Sequence, residues 1–159
     1  MRPKPIAPGA GEESVWDYPR PPRIEPTARR IRVELAGLTI VDTTRALRVL
    51  ETSHPPVYYV PIDDVIAGAL TRAARTSFCE WKGLAQYFDV TSGARTERDA
   101  AWAYAEGPLA RRVAFYAGRM DACFVDDERV VPQPGGFYGG WITSEIVGPF
   151  KGIPDSAGW

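Results

Sequence analysis

The chain has 159 residues, of which 45% are hydrophobic and 25% charged, and a formal net charge of −1. This length and composition indicate one soluble globular domain rather than two, large enough to bury about two-thirds of the extended chain's surface. Because 20 acidic residues offset 19 basic ones, the chain lacks the positive excess typical of proteins that bind nucleic acid.

The N-terminal 30 residues predict an extended arm. They contain seven of the 15 prolines, and each proline fixes φ and removes a backbone donor, which excludes a helix or a central strand. Trp16 and Tyr18 are aromatic residues that a freely solvated tail would not need, so we expect part of the arm to lie on the body of the domain. A disordered leader is the alternative.

Residues 31–131 are predicted to form the core of the domain. Apolar and polar residues alternate over 31–35 and again after Ala36 and Gly37, which predicts a β-hairpin with its turn at these two residues. Further short apolar runs lie at 45–50, 57–60, 84–90, 100–105, 113–116 and 121–125. Regularly spaced short strands of this kind predict a mainly β, antiparallel fold. Helical spacing is slight and predicts one short helix over 62–70 and one further turn over 108–112.

Residues 132–159 are rich in glycine, proline and aromatic residues, with the densest run at 135–141. Glycine permits close approach of the backbone, and the aromatic rings supply contact area. We expect this C-terminal segment to pack over a sheet or a pocket of the core.

Two cysteines, Cys79 and Cys123, are too few for a disulfide framework and do not have the spacing of zinc ligands. No apolar run follows the N-terminal charges, and no window approaches 18 continuous apolar residues. We therefore predict a cytoplasmic protein with no metal or cofactor and with neither a membrane nor nucleic acid as partner. A homodimer is a possible assembly.

The first candidate for function is the adjacent pair Trp81 and Lys82, which lies at the start of a predicted strand. An indole beside an ammonium group can stack on a planar ligand and pair with its negative oxygen. The alternative is a tryptophan of the core beside a solvated lysine.

The second candidate is His54, the only histidine, which precedes two prolines and follows Glu51 by three residues. The prolines stiffen the turn, which would suit a positioned acid or base, and Lys82 could stabilise developing negative charge. A lone histidine is more often a hydrogen-bonded structural group, and it cannot hold a metal without several further ligands.

The third candidate is the pair Trp102 and Tyr104, which lie two residues apart in a predicted strand and so face the same side. Core packing alone explains most cases in which two aromatic residues share one face of a strand. The pair becomes a pocket wall if Trp81 and Tyr58 converge on it.

Several of these motifs together resemble the domain-of-unknown-function family 427. The resemblance covers nearly the whole chain and rests on residues 13–21, 46–51, 54–59, 79–83, the pair Trp102 and Tyr104, 113–116 and 148–152. It implies a β-tent, in which two antiparallel sheets lean together, as in methionine sulfoxide reductase B and the thalidomide-binding domain of cereblon.

Those relatives hold a ligand in a pocket between the sheets, and aromatic residues wall the pocket in cereblon. Related β-tents often carry a zinc held by four cysteines, which this chain cannot supply, and its cysteines do not lie in the reductase motif. Some members of family 427 carry the label nucleotidyltransferase, but no pair of carboxylates here suits a magnesium ion.

We therefore predict a domain that binds a small molecule, either a planar heterocycle of nucleotide or nucleobase type or a cation. The predicted contacts are Tyr58, Trp81, Lys82, Trp102 and Tyr104, with His54 and Glu51 as further polar groups. An enzyme that uses the same cleft is the alternative, with His54 or Glu51 as base and Lys82 as the stabilising charge. A protein-interaction module that docks through one of the terminal segments is the third hypothesis.

Overall fold

A computed structural model describes residues 2–159. Over this range the chain contains three single-turn 3-10 helices (Val15–Asp17, Ile62–Asp64 and Ala117–Arg119) and no α-helix. The strands in chain order are β1 (Glu13–Ser14), β2 (Arg23–Pro26), β3 (Ile31–Leu35), β4 (Leu38–Thr43), β5 (Leu47–Leu50), β6 (Val57–Pro61), β7 (Leu70–Cys79), β8 (Gly83–Ser92), β9 (Arg95–Tyr104), β10 (Arg112–Phe115), β11 (Ala122–Val125), β12 (Glu128–Arg129), β13 (Val131–Pro132), β14 (Trp141–Ile142) and β15 (Ile146–Val147).

Two antiparallel sheets form the body of the domain. The larger has the order β2-β5-β6-β10-β9-β8-β7, and the smaller has the order β12-β11-β3-β4. The short pairs β1–β15, which is parallel, and β13–β14 attach the terminal segments. The prediction of a mainly β, antiparallel fold with extended arms is confirmed. No helix in residues 2–159 has the length and hydropathy needed to span a membrane.

The hairpin β3–β4 follows the alternation of its sequence. Ile31, Val33 and Leu35 are fully buried, and the residues between them are half-buried. Ala36 and Gly37 form the turn with φ of 52° and 78°, the left-handed backbone that suits the twist of a two-residue hairpin. The predicted hairpin and its turn are therefore both confirmed.

The main hydrophobic core lies between the two sheets. The smaller sheet contributes the buried face of β3 together with Cys123, and the larger sheet contributes residues such as Val113 and Phe115. Trp141 from the C-terminal segment completes this core, where its indole N–H donates to the carbonyl of Phe115 at 3.1 Å. The C-terminal segment is thus part of the packed structure.

The expected helix over 62–70 is reduced to the turn Ile62–Asp64. Val65 is extended and bridges Val41, and the amide of Ile66 donates to the carbonyl of Ile40. These backbone bonds to β4 outweigh the weak helical spacing. Gly68 then turns the chain into β7, a strand that the sequence patterns do not indicate. Residues 108–111 form hydrogen-bonded turns and Arg112 begins β10, so the helical turn expected over 108–112 is absent.

The N-terminal arm is docked on the domain, where the amide of Ile6 donates to the carbonyl of Gly148 and β1 begins at Glu13. Trp16 and Tyr18 are each 7% exposed, and β2 is an edge strand of the larger sheet. Arg48, whose side chain is only 14% exposed, donates two hydrogen bonds to Glu13 and two to Glu25. Burial disfavours its charge, but the bonds to the two glutamates prevail and hold the pKa of Arg48 above its usual range. These two ion pairs fix the arm to β5.

Candidate functional site

The face of the larger sheet that points away from the main core carries a group of aromatic side chains. On β9, Ala101 and Ala103 pack into the main core, whereas Trp102 and Tyr104 lie on the opposite face, as their spacing predicts. We call the set formed by Tyr59, Tyr87, Trp102, Tyr104 and Tyr116 the aromatic cluster.

The aromatic cluster is held by specific contacts. The indole N–H of Trp102 donates to the hydroxyl of Tyr59 at 3.0 Å, and the ring centroids of Trp102 and Tyr116 are 4.6 Å apart. Burial raises the pKa of Tyr59 well above its ordinary value and raises that of Tyr104 in the same direction. These hydroxyls are therefore neutral hydrogen-bonding groups at physiological pH, not bases.

A large cavity opens beside the aromatic cluster, at the β7–β8 turn. Its volume is about 730 Å³. We call it the larger cavity; it is lined by Ile24, Arg72, Phe78, Glu80, Trp81, Lys82, Gly83, Leu84, Gln86, Ala105, Glu106, Gly107, Pro108 and Leu109. Its rim carries three apolar side chains with large exposed fractions: Phe78 at 72%, Leu84 at 61% and Trp81 at 41%.

The geometry of the β7–β8 turn explains why Trp81 and Lys82 reach this cavity. Cys79 pairs with Gly83, so residues 80–82 form a three-residue loop, and Gly83 has the left-handed φ of 91° that such loops use at their end. The backbone reversal directs the loop away from the sheet. Two sequence-predicted residues therefore line the larger cavity.

The charges around the larger cavity leave two cations available. The Lys82 ammonium lies 5.9 Å from the centroid of the Tyr104 ring, and Arg72 donates to the amide oxygen of Gln86 at 3.0 Å. Within residues 2–159, no carboxylate oxygen lies within 4.0 Å of either cation. An anionic ligand group could pair with them without displacing a partner.

The remaining predicted contacts are divided between the two faces of the sheet. Tyr104 lies beneath Lys82, whereas Trp102 is only 7% exposed and lies deeper, in the aromatic cluster. Tyr58 lies on the opposite face, in the main core, where its ring centroid is 5.3 Å from that of Trp141. Neighbouring residues of a strand point to opposite faces, so Tyr59 rather than Tyr58 joins the predicted aromatic wall.

His54 and Glu51 lie outside the lining of the larger cavity. The imidazole packs edge-on against Tyr138 at a centroid distance of 4.8 Å, and its Nδ1 accepts from the side-chain amide of Gln133 at 2.9 Å. Its Nε2 is 4.0 Å from the Glu51 carboxylate. Burial, together with the charges of Lys151, Arg20 and Lys82, in that order, lowers the pKa of His54 to about 4. Such an imidazole is a weak base at neutral pH, which makes it poorly matched to general-base catalysis.

A smaller cavity of about 250 Å³ lies at another part of the molecule, beneath the glycine-rich run of the C-terminal segment. We call it the smaller cavity; it is lined by Arg75, Asp99, Tyr116, Ala117, Gly118, Arg119, Pro132, Gln133 and residues 136–140. The sequence predicts that the glycine-rich run packs over a sheet or over a pocket, without deciding between them. It does not indicate Arg75 or Asp99, because neither belongs to a motif.

The described residues do not offer a metal site. Within residues 2–159, no three side chains of His, Cys, Asp or Glu type are grouped so that they could hold an ion. Cys123 is buried in the main core and Cys79 is half-buried at the end of β7, and both are free thiols.

The family assignment rests on a comparison with family models. The model described as domain of unknown function DUF427 matches residues 23–126, which is more than half of the chain. This chain belongs to the DUF427 family. The matched range contains every residue that lines the larger cavity, whereas the part of the smaller cavity formed by residues 132–140 lies beyond the DUF427 match. No curated protein matches the chain significantly.

Proposed function

We propose that the chain binds a small molecule in the larger cavity, and that the ligand is a planar heterocycle bearing an anionic group, of the nucleotide type. The observation that carries this proposal is the combination of an exposed indole with an unpaired ammonium group on one cavity wall. A volume of about 730 Å³ falls within the range of roughly 300–1,000 Å³ typical of small-molecule sites.

The apolar rim suits the heterocycle. Trp81, Phe78 and Leu84 expose large side chains around one opening, and such a patch gains free energy when a flat apolar ring covers it. A stacked ring on Trp81 contributes about 1 kcal/mol beyond the burial of its area. The three side chains therefore favour a ligand with at least one aromatic ring.

The two unpaired cations suit the anionic group. Lys82 and Arg72 line the same cavity as Trp81, so one molecule can stack and form an ion pair at once. Glu80 and Glu106 also line it, which leaves room for a cationic ligand on the aromatic rim. Tetramethylammonium is the probe that distinguishes this second ligand class from the first.

Isothermal titration calorimetry with the four ribonucleoside 5′-monophosphates, the matching nucleosides and tetramethylammonium tests the proposal. We expect at least one nucleotide to bind, with its nucleoside bound more weakly because the pairing with Lys82 is lost. Trp81→Ala should weaken both nucleotide and nucleoside, whereas Lys82→Met should weaken only the nucleotide. Leu38→Ala and Lys4→Met, which alter exposed residues outside the cavity, are the matched controls.

Three outcomes would contradict the proposal. Binding of none of the nucleotides removes the proposed ligand class, and binding that survives Trp81→Ala places the ligand elsewhere. Binding of tetramethylammonium in preference to every nucleotide would show that the aromatic rim selects cations.

A further inference from the structure

The smaller cavity contains one cation and one anion that have no ionic partner in the described chain. The guanidinium of Arg75 lies 4.4 Å above the ring of Tyr87, and within residues 2–159 no carboxylate oxygen lies within 4.0 Å of it. Asp99 likewise forms no ion pair, and over the same range its carboxylate accepts no hydrogen bond. Arg119, the other cation of the cavity, is paired with Glu97 at 3.5 Å.

The strand order keeps these two charges apart. Arg75 belongs to β7 and Asp99 to β9, and β8 lies between them in the sheet. Two strand spacings alone place their backbones at least roughly 10 Å apart. The two side chains thus line one cavity from different strands without neutralising each other.

The backbone at Asp99 is held in an unusual conformation. Asp99 has a φ of 51°, the left-handed region that costs a non-glycine residue free energy but is tolerated best by Asp and Asn. Its amide donates to the carboxylate of Asp89 at 2.9 Å, and the register of β8 and β9 shifts at this point. The shift and this hydrogen bond fix the position from which the Asp99 side chain enters the cavity wall.

The glycine-rich run lines the same cavity through residues 136–140, and several of its amide groups have no acceptor within the described chain. In the described part of the chain, none of the backbone N–H groups of residues 135–139 donates a hydrogen bond. The run is nevertheless held in place, because the amide of Gly140 donates to Gln133 and the hydroxyl of Tyr116 donates to the carbonyl of Phe137. Positioned free amides are donors for an anionic group.

We propose that the smaller cavity binds a compact zwitterion of the free α-amino acid class. The carboxylate of the ligand would pair with Arg75 and with amides of residues 136–139, and its ammonium group would pair with Asp99. A volume of about 250 Å³ lies below the range of roughly 300–1,000 Å³ of drug-sized ligands, which limits the occupant to a molecule of this size. This site is separate from the proposed nucleotide site, so the two proposals stand or fall independently.

The test is an NMR titration of the ¹⁵N-labelled full chain with each of the 20 common L-amino acids. We expect at least one to give saturable shifts of the amide signals of residues 135–139. The amide derivative of that amino acid, which lacks the carboxylate, and its deaminated analogue, which lacks the ammonium group, should each bind about tenfold or more weakly, because each loses one charge-assisted contact.

Two variants assign the two ends of the ligand. Asp99→Asn keeps a residue that accepts the left-handed backbone, so the fold is retained while the charge is removed. It should weaken the amino acid about tenfold or more and leave the deaminated analogue unchanged. Arg75→Gln should weaken the amino acid and its deaminated analogue, because both carry the carboxylate. It should leave the binding of the amide derivative unchanged. Leu38→Ala, at an exposed residue outside both cavities, is the control that should change none of these affinities.

The outcomes that overturn the proposal are distinct. If none of the amino acids gives a saturable shift at about 50 mM, their dissociation constants lie far above about 1 mM, the value that corresponds to a binding free energy of roughly 4 kcal/mol. The ligand class is then excluded. Equal binding of the amino acid and both truncated analogues shows that the cavity does not recognise both charges. Unchanged affinity in Asp99→Asn removes Asp99 from the site.

Discussion

The burial of His54 predicts that the protein loses stability in mild acid. The folded protein holds the pKa of this imidazole at about 4, mainly through burial, whereas the ordinary value is 6.5. The unfolded chain therefore binds the proton more tightly, and acidification favours the unfolded state. The stabilising effect of neutral His54 is complete above pH 6.5 and is lost progressively as the pH falls towards 4.

The size of the effect follows from the two pKa values. At about pH 5 the unfolded imidazole is almost fully protonated while the folded one is mostly neutral, which lowers the free energy of unfolding by about 2 kcal/mol. The full separation of the pKa values corresponds to roughly 3 kcal/mol. Since His54 is the only histidine, no other imidazole contributes in this window.

Urea denaturation followed by tryptophan fluorescence at a series of pH values from about 7.5 to 5 measures this loss. His54→Gln is the matched variant, because the amide oxygen of glutamine can still accept from Gln133 but does not titrate. We expect the wild-type free energy of unfolding to fall over this range and that of His54→Gln to stay nearly constant. Lys151→Met should raise the pKa of His54 and reduce the wild-type slope, since Lys151 is the second cause of the shift after burial.

An NMR titration of the single imidazole gives an independent check. Its ring signals should keep their neutral positions down to about pH 5, with the midpoint near 4. Titration of the folded protein near 6.5, or an equal loss of stability in His54→Gln, would refute the assignment of the acid sensitivity to His54.

Two further predictions concern packing and the docked arm. Gly139→Ala would place a methyl group 2.9 Å from Cζ2 of Trp102 and closer still to Cη2, so chemical denaturation should show a loss of about 1–3 kcal/mol. Gly118→Ala, whose added methyl would make an ordinary contact at 3.6 Å, should lie within about 0.5 kcal/mol of wild type. Arg48→Met should cost about 2 kcal/mol, because it leaves Glu13 without a cation within 4.0 Å and Glu25 with Arg23 alone, at 3.5 Å. Arg30→Met removes an exposed pair of similar geometry and should cost clearly less than Arg48→Met; equal losses in both variants would contradict this dependence on burial.

Much of the fold could be predicted because local pattern and burial agree. The alternation over 31–35, the turn at Ala36 and Gly37 and the two faces of β9 follow from the period of a strand, and each is observed. The sequence of β7 gives no strand signal, because only Leu70 and Phe78 among its 10 residues are large and apolar. Most of its side chains are exposed, and the backbone pairing with β8, its one neighbour in the sheet, holds this edge strand in place.

The larger cavity could be predicted only in part. Trp81 and Lys82 were found because an aromatic residue and a cation sit together in a loop before a strand. Leu109 and Ile24 could not be found, because they reach the same cavity from a different loop and from the edge strand β2. Convergence of this kind depends on strand order and on the curvature of the sheet, and neither is encoded in the spacing of residues along one strand.

The smaller cavity shows a further limit of prediction from sequence, which arises from irregular pairing between β7, β8 and β9. The register of β7 with β8 shifts between Arg72 and Thr76, and the register of β8 with β9 shifts between Phe88 and Val90. Both shifts meet β8 within the same few residues, so the displaced parts of β7 and β9, which carry Arg75 and Asp99, flank one stretch of the sheet. Extra residues in a strand redirect side chains away from the regular alternation. A regular alternation of side chains would therefore place Arg75 and Asp99 in solvent. The two register shifts together bring them to a common cavity.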